Sequence, residues 1–203
     1  TDLILPAVLS AQAVPSAPAE AQAQAPGEAP SGLNPASRAQ QAFNAFHAGD
    51  FEQALHLASA LVAEWPIAAE MEHLAAASLH SLGRGEEAIA PIRRAIALDA
   101  ANASYLNTYG VILRKLKRVD EAIRSYERVM ALTPDFPDVY YNCGNALSEL
   151  KRTEEAAVRF HRCLELSPDH YSAHHNLANC LRDLKQLDEA IEHYRRSDAI
   201  EHH

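Results

Sequence analysis

The chain has 203 residues, a formal charge of −9 and only 6% aromatic residues, although 48% of its residues are hydrophobic. The acidic balance argues against a nucleic-acid partner, because a phosphate-binding surface needs clustered Lys and Arg and the only short basic cluster is Arg114–Arg118. No apolar run reaches the ~18–20 residues that cross a bilayer, so we expect no membrane partner.

Three cysteines, Cys143, Cys163 and Cys180, are odd in number and form no CxxC pair, so they do not make a disulfide framework. They favour a reducing compartment, and we expect a cytoplasmic protein. The alternative is the periplasm, because Ala11–Ala13 has the small-x-small form of a signal-cleavage site. The basic residues that normally begin a signal peptide are missing, and Asp2 stands in their place.

Residues 1–33 differ in composition from the rest of the chain, since they are rich in Ala, Pro and Gln and contain no Lys or Arg. Such a segment buries too little apolar surface to offset the entropy of ordering, so we interpret it as an irregular extension or linker. Its apolar stretch Leu3–Leu9 is an exception. We predict that this stretch docks on the repeat surface of its own or a neighbouring molecule, giving self-association through residues 1–33.

From Pro35 onward the sequence repeats every 34 residues. The units begin at Pro35, Ala69, Ala103, Pro137 and Tyr171; their eighth residues are Ala42, Ala76, Gly110, Gly144 and Ala178, and their twentieth residues are Ala54, Ala88, Ala122, Ala156 and Ala190. Apolar residues in each half-unit recur at the spacing of one helix face. Each unit therefore predicts two helices, near 36–47, 50–64, 67–81, 86–98, 103–115, 119–132, 137–149, 153–166, 171–183 and 187–200.

The recurring small residues have a steric explanation. Where two helices cross closely, a side chain larger than a methyl group pushes them apart, at a cost of about 1–3 kcal/mol. The last three units carry Tyr126, Phe160 and Tyr194 at their twenty-fourth position, and we expect these large residues to fill the gap to the next unit. Proline marks the unit boundaries because it is tolerated only in the first turn of a helix.

This pattern resembles the tetratricopeptide repeat, over residues 35–200 and most closely from Ala103 onward. The resemblance implies an all-α fold, a right-handed superhelix or solenoid of five helix pairs occupying residues 34–200, with first helices that line a concave groove. The last three residues, 201–203, end in two histidines typical of a purification tag.

The sequence contains no recognisable catalytic set. There is no nucleophile elbow, phosphate-binding loop or dinucleotide fingerprint, and the 11 histidines form no quartet with zinc-ligand spacing. His170 and His174 share a helix face, but a hydrated turn and a packing position account for them better than a metal does. We therefore expect no cofactor, no metal and no enzymatic activity in this chain, although a catalytic domain could lie outside it.

The groove positions of each first helix give a candidate site. Read along the chain, they begin apolar and become polar and rich in amides. The predicted peptide-binding residues are Phe43, Phe46, His73, His80, Asn107, Val111, Arg114, Tyr141, Asn142, Asn145, His175, Asn176, Asn179 and Arg182. No Lys or Arg occupies the second or fifth position of any unit, which disfavours a clamp for a carboxyl terminus.

The amides of the last two units carry a second resemblance. Asn142 with Asn145, and Asn176 with Asn179, are similar to the asparagine ladder of O-linked N-acetylglucosamine transferases, whose amides hold a peptide backbone. The alternative is that the same amides bond between repeats. We accordingly predict a protein-interaction scaffold that binds a peptide or partner segment; the second hypothesis is the substrate-recognition module at the N-terminus of a larger glycosyltransferase.

Overall fold

The computed structural model of the protein describes residues 34–66 and 68–201, and in this part of the chain every regular element is an α-helix. The helices are α1 Pro35–His47, α2 Phe51–Glu64, α3 Ala69–Ser81, α4 Gly85–Leu98, α5 Ala103–Lys115, α6 Val119–Leu132, α7 Pro137–Glu149, α8 Thr153–Leu166, α9 Tyr171–Asp183 and α10 Leu187–Glu201. All ten predicted helices are confirmed, each end within two residues. The predicted extension at 1–33 and the last two histidines of the predicted tag lie outside the described residues.

The helices belong to two compact units. One contains α1–α4 and ends at Leu98, and the other begins at Asp99 and contains α5–α10. Within each unit every helix packs against the next along the chain, and the first helices of neighbouring pairs also touch, α1 with α3, α5 with α7, and α7 with α9. The first helices of the three pairs in α5–α10, which are α5, α7 and α9, therefore lie side by side on one face, and the candidate site lies on this face.

In the third and fourth repeats a glycine of the first helix lies beneath an aromatic ring of the second, which allows the two helices to cross closely. A Cβ atom on Gly110 would lie 2.4 Å from the Tyr126 ring, and one on Gly144 would lie 2.6 Å from the Phe160 ring. Both rings are almost completely buried. These contacts place each ring on the eighth residue of its own pair, and the expectation that the twenty-fourth residue fills the gap to the next repeat stays a prediction.

Each first helix ends at a residue in the left-handed conformation, always the fifteenth of its unit. These residues, with φ between 61° and 80°, are Gly49, Gly83, Lys117, Lys151 and Lys185. The next N–H then bonds back to the last turn, as Arg118 N does to Leu113 O at 2.9 Å and Arg152 N does to Leu147 O at 3.0 Å. This is the Schellman arrangement, which satisfies carbonyl groups at the helix end and reverses the chain.

We expect Gly144→Ala to lower the free energy of unfolding by up to about 2 kcal/mol. Overpacking against Phe160 costs about 1–3 kcal/mol, and the higher helix propensity of Ala offsets about 1 kcal/mol of that cost. Urea unfolding followed by circular dichroism measures the change.

The control for this prediction adds Phe160→Ile, because the second repeat has Ala76 and Ile92 at the equivalent positions and both are fully buried. The double variant should lose less stability than the sum of the two single variants, since the smaller side chain makes room for the added methyl group. Strictly additive losses would contradict the proposed contact.

Replacing a lysine that has a positive φ by glycine should stabilise the chain. Lys117→Gly is expected to raise the free energy of unfolding by about 0.5–1 kcal/mol, because only glycine adopts this conformation without a steric cost. The matched reverse change is Gly83→Lys, where an added Cβ meets no atom within 4 Å, so backbone conformation alone sets the loss. Equal stabilities of wild type and both variants in thermal unfolding would refute the explanation.

Candidate functional site

Two predicted site residues of the first unit belong largely to its core. Phe43 in α1 is 7% exposed and packs in a cluster with Ala42, Leu61 and Leu74. Phe46 is half-buried against the same cluster, and its ring meets that of Phe51 edge-on at 5.2 Å between centroids. These two aromatic side chains stabilise the packing of α1, and a contact between them and a ligand stays a prediction.

The predicted histidines of α3 differ in their exposure. His73 is completely buried, and this burial lowers the pKa of its imidazole to about 4, so the ring is neutral at pH 7. His80, two turns later, is half-buried. Beside His73 the buried carboxylate of Glu72 receives two hydrogen bonds from Arg94 of α4, at 2.5 Å and 2.9 Å.

The buried part of the second unit's first-helix face contains one asparagine pair. Asn142 in α7 donates a hydrogen bond to Asn107 Oδ1 in α5 at 3.1 Å, and neither side chain is exposed. Val111, one turn further along α5, is also fully buried. A hydrogen bond of this kind, made away from water, holds α5 against α7.

A second asparagine pair lies at the edge of the same face and is partly open. Asn176 Nδ2 in α9 donates to Asn145 Oδ1 in α7 at 2.7 Å, and both side chains are half-buried. Asn179, one turn beyond Asn176, accepts a hydrogen bond from the Tyr194 hydroxyl at 2.7 Å. The amides of Asn145 and Asn176 thus bond between repeats, as the alternative interpretation expected, and both remain partly exposed to solvent.

Charged side chains continue the row toward the ends of these helices. Arg114 of α5 forms an ion pair with Glu149 of α7, and Lys117 Nζ lies 3.5 Å from the second carboxylate oxygen of Glu149. On α9, Arg182 pairs with its neighbour Asp183 at 3.0 Å. Both predicted arginines therefore have carboxylate partners, and neither is poised as an isolated cation.

These groups surround a hollow of about 340 Å³. Its walls are Arg114, Asn145, Ser148, Glu149, Lys151, Thr153, Asn176, Asn179, Cys180 and Asp183. Four of the predicted site residues are among them. Sequence reasoning did not select Glu149 and Asp183, although both are the thirteenth residue of their unit and directly follow a predicted groove position. Lys151 comes from the turn after α7 and Thr153 from the first turn of α8, and neither is a groove position of a first helix.

The other predicted residues lie outside the walls of this hollow. Tyr141 is 5% exposed, and its ring centroid lies 4.7 Å from that of His170 and 6.1 Å from that of Phe160. His175 is exposed and meets the Tyr194 ring edge-on at 5.7 Å. Their role as ligand contacts stays a prediction.

The histidines of α9 have structural partners. His170 caps the helix by accepting a hydrogen bond from Ala173 N at 3.1 Å. His174 Nε2 donates to the carbonyl oxygen of Pro168 at 2.8 Å, so in the neutral ring its Nδ1 accepts from His193 Nδ1, also at 2.8 Å. Burial is the main reason that the pKa of His193 is lowered to about 4, and the neighbouring His174 lowers it further.

The cysteines of the second unit are buried free thiols. Burial raises the pKa of Cys143 to about 11 and that of Cys163 to about 12, so both thiols stay protonated and pack as small apolar groups. Among the described residues no group of three or more His, Cys, Asp or Glu side chains could hold a metal ion. None of the described helices combines the length and apolar character needed to cross a membrane.

Comparison with family models matches three stretches of the chain. Residues 40–105 and 149–202 match models described as tetratricopeptide repeat, and residues 110–151 match a model described as TPR repeat. No curated relative matches the chain by sequence.

Solved structures with the same helix arrangement include PilF of Pseudomonas aeruginosa, at 23% identity and a TM-score of 0.76 over 81% of this chain and 75% of that one. MamA of Desulfovibrio magneticus RS-1 matches at 20% identity and a TM-score of 0.72, over 81% of this chain and 96% of that one. YrrB, described as a TPR protein with an unusual peptide-binding site, matches at 19% identity and 0.65, over 80% and 84%. These likenesses confirm the predicted all-α solenoid fold of helix pairs.

The buried neutral His73 makes stability depend on pH. Its pKa is about 4 in the folded chain and near 6.5 when unfolded, so between these values the unfolded state binds the extra proton. We therefore expect the free energy of unfolding to fall as the pH drops from about 6.5 toward about 4. His73→Gln should flatten this slope by about one bound proton.

Urea unfolding at a series of pH values measures that slope. The matched control is His56→Gln on α2, because His56 is exposed. A slope that both variants leave unchanged would contradict the assignment to His73.

Proposed function

The chain belongs to the tetratricopeptide repeat family, and we propose that it is a non-catalytic scaffold that holds a peptide segment of a partner protein on the face of α5, α7 and α9. The observation that carries this proposal is the partly open asparagine pair, Asn145 with Asn176. The fold supplies the face, and the pair supplies the chemistry that an extended backbone requires.

The hydrogen bond within this pair fixes what each amide can offer. It uses one N–H of Asn176 and one lone pair of Asn145, so Asn145 keeps both of its N–H donors and Asn176 keeps its carbonyl oxygen. In the part of the chain that the structure describes, no other side chain bonds to either group. A donor and an acceptor held side by side match the N–H and C=O groups of a peptide whatever its side chains are.

The charges around the hollow favour a peptide of mixed polarity. The walls of the hollow contain two cations, Arg114 and Lys151, and two carboxylates, Glu149 and Asp183, so charges of both signs lie beside the amides. A strongly acidic or strongly basic segment would meet a like charge on these walls and pay a desolvation cost. The fold shared with YrrB, whose description includes a peptide-binding site, also supports a peptide ligand.

Two finer hypotheses concern the same site. The glycosyltransferase alternative rests on the spacing of Asn142, Asn145, Asn176 and Asn179 alone; a nucleotide-sugar domain following this region in the complete gene would make the scaffold one part of that enzyme. The other is that Leu3–Leu9, which lies outside the described residues, is the ligand of a groove.

The cytoplasmic location likewise stays a prediction.

The proposal is tested with peptides selected from a random library displayed on phage against the intact chain. Asn145→Ala combined with Asn176→Ala should weaken the binding of the selected peptides by about tenfold or more, because buried backbone groups lose their partners. Stability should change little, since both residues are half-buried. Isothermal titration calorimetry measures the affinity.

Two matched variants serve as controls. Asn44→Ala changes an exposed asparagine of α1 and should leave peptide affinity as it is. Asn142→Ala removes the donor of the buried pair and should cost about 1–3 kcal/mol of stability. Selected peptides that bind the Asn145→Ala, Asn176→Ala chain as tightly as wild type would overturn the proposed site.

A further inference from the structure

The outward face of α10, the last helix that the structure describes, is apolar and exposed. Leu187 and Ile191 of α10 are 55% and 47% exposed, and their four-residue spacing places them on one face. The residues at the same two repeat positions in α6 are Val119 and Ile123, which are 8% and 6% exposed because α7 packs against α6. The exposed face of α10 is therefore as apolar as the equivalent face of α6, which another helix covers.

The charges beside this apolar stripe indicate which helix covers it. Asp188 and Arg195 are seven residues apart, so they lie on the same flank of α10. If a second α10 lies antiparallel across the stripe, a two-fold axis preserves the flank and brings Asp188 of each copy opposite Arg195 of the other. The apolar stripe and the charges beside it can therefore pair with the same surface on a second copy of the chain.

Stacking of α10 on the first helix of another copy fits less well. The seventh and tenth residues of the fourth repeat, Cys143 and Ala146 of α7, are both fully buried. The equivalent residues of α1 are Gln41 and Asn44, both exposed, and Gln40 Nε2 donates to Asn44 Oδ1 at 3.0 Å. If α1 of another copy covered α10, the amides of Gln41 and Asn44 would lie over Leu187 and Ile191. Their remaining hydrogen-bonding groups would then lose water without gaining a partner.

We propose that a second copy of this chain covers α10, with the two α10 helices antiparallel about a two-fold axis near Ile191. The contact is isologous, so it closes as a dimer and does not extend into a fibre. Leu187 and Ile191 of each copy pack against those of the other, and two Asp188–Arg195 pairs fix the direction and register, as flanking charges do in coiled coils.

Sedimentation equilibrium of the full chain across the micromolar range tests the association. Wild type should show a mass that rises with concentration from 22.2 kDa toward twice that value. Leu187→Glu with Ile191→Glu should stay monomeric with unchanged helical circular dichroism, because both positions are exposed. The matched control is Val158→Glu on α8, which is 62% exposed and should associate like wild type.

Charge reversal tests the antiparallel register. Asp188→Arg alone, or Arg195→Asp alone, should raise the dissociation constant about tenfold, and the two changes together should restore it. A wild-type chain that stays monomeric would overturn the proposal, and so would association that survives the Leu187→Glu, Ile191→Glu change, which would assign it to another surface such as residues 1–33. Failure of the double reversal to restore association would exclude the antiparallel α10 contact.

Discussion

The structure of the second unit depends on how closely the two helices of a pair can approach each other. In the third and fourth repeats this approach is set by the hydrogen atom of a glycine beneath an aromatic ring, Gly110 under Tyr126 and Gly144 under Phe160. The first and second repeats combine Ala with Ala58 or Ile92 at the same positions. In these two repeats a methyl group at the eighth position therefore accompanies a smaller residue at the twenty-fourth.

Much of the fold could be predicted from the sequence, because its signals are local or strictly periodic. The starts of α1 and α7, for example, follow from the prolines that mark the unit boundaries. The direction of the aromatic rings could not be predicted, because periodicity identifies a buried residue without identifying the neighbour it touches. The burial of Tyr126 and Phe160 could therefore be predicted, whereas their contacts with Gly110 and Gly144 could not.

The candidate site was less predictable than the fold, for a related reason. The helix-face pattern identified Asn107, Asn142, Asn145 and Asn176 as a set, but their partners are set by distances of about 3 Å between residues more than thirty positions apart. One pair is buried and joins helices, whereas the other is half-open and retains hydrogen-bonding groups. The opposite charges that adjoin it, such as Glu149, come from helix ends, where the sequence pattern stops.

The chain of contacts from α5 to α10 also governs how this unit comes apart. Among the described helices of this unit, each packs against its sequence neighbours, the first helices also touch one another, and the helix that α10 contacts is α9. Such a linear array behaves as a row of coupled segments, in which opening begins at an end and spreads inward one pair at a time. Backbone amides should accordingly exchange with solvent in a gradient along the row, fastest in α10, and a second copy bound to α10 would slow that fraying where it begins.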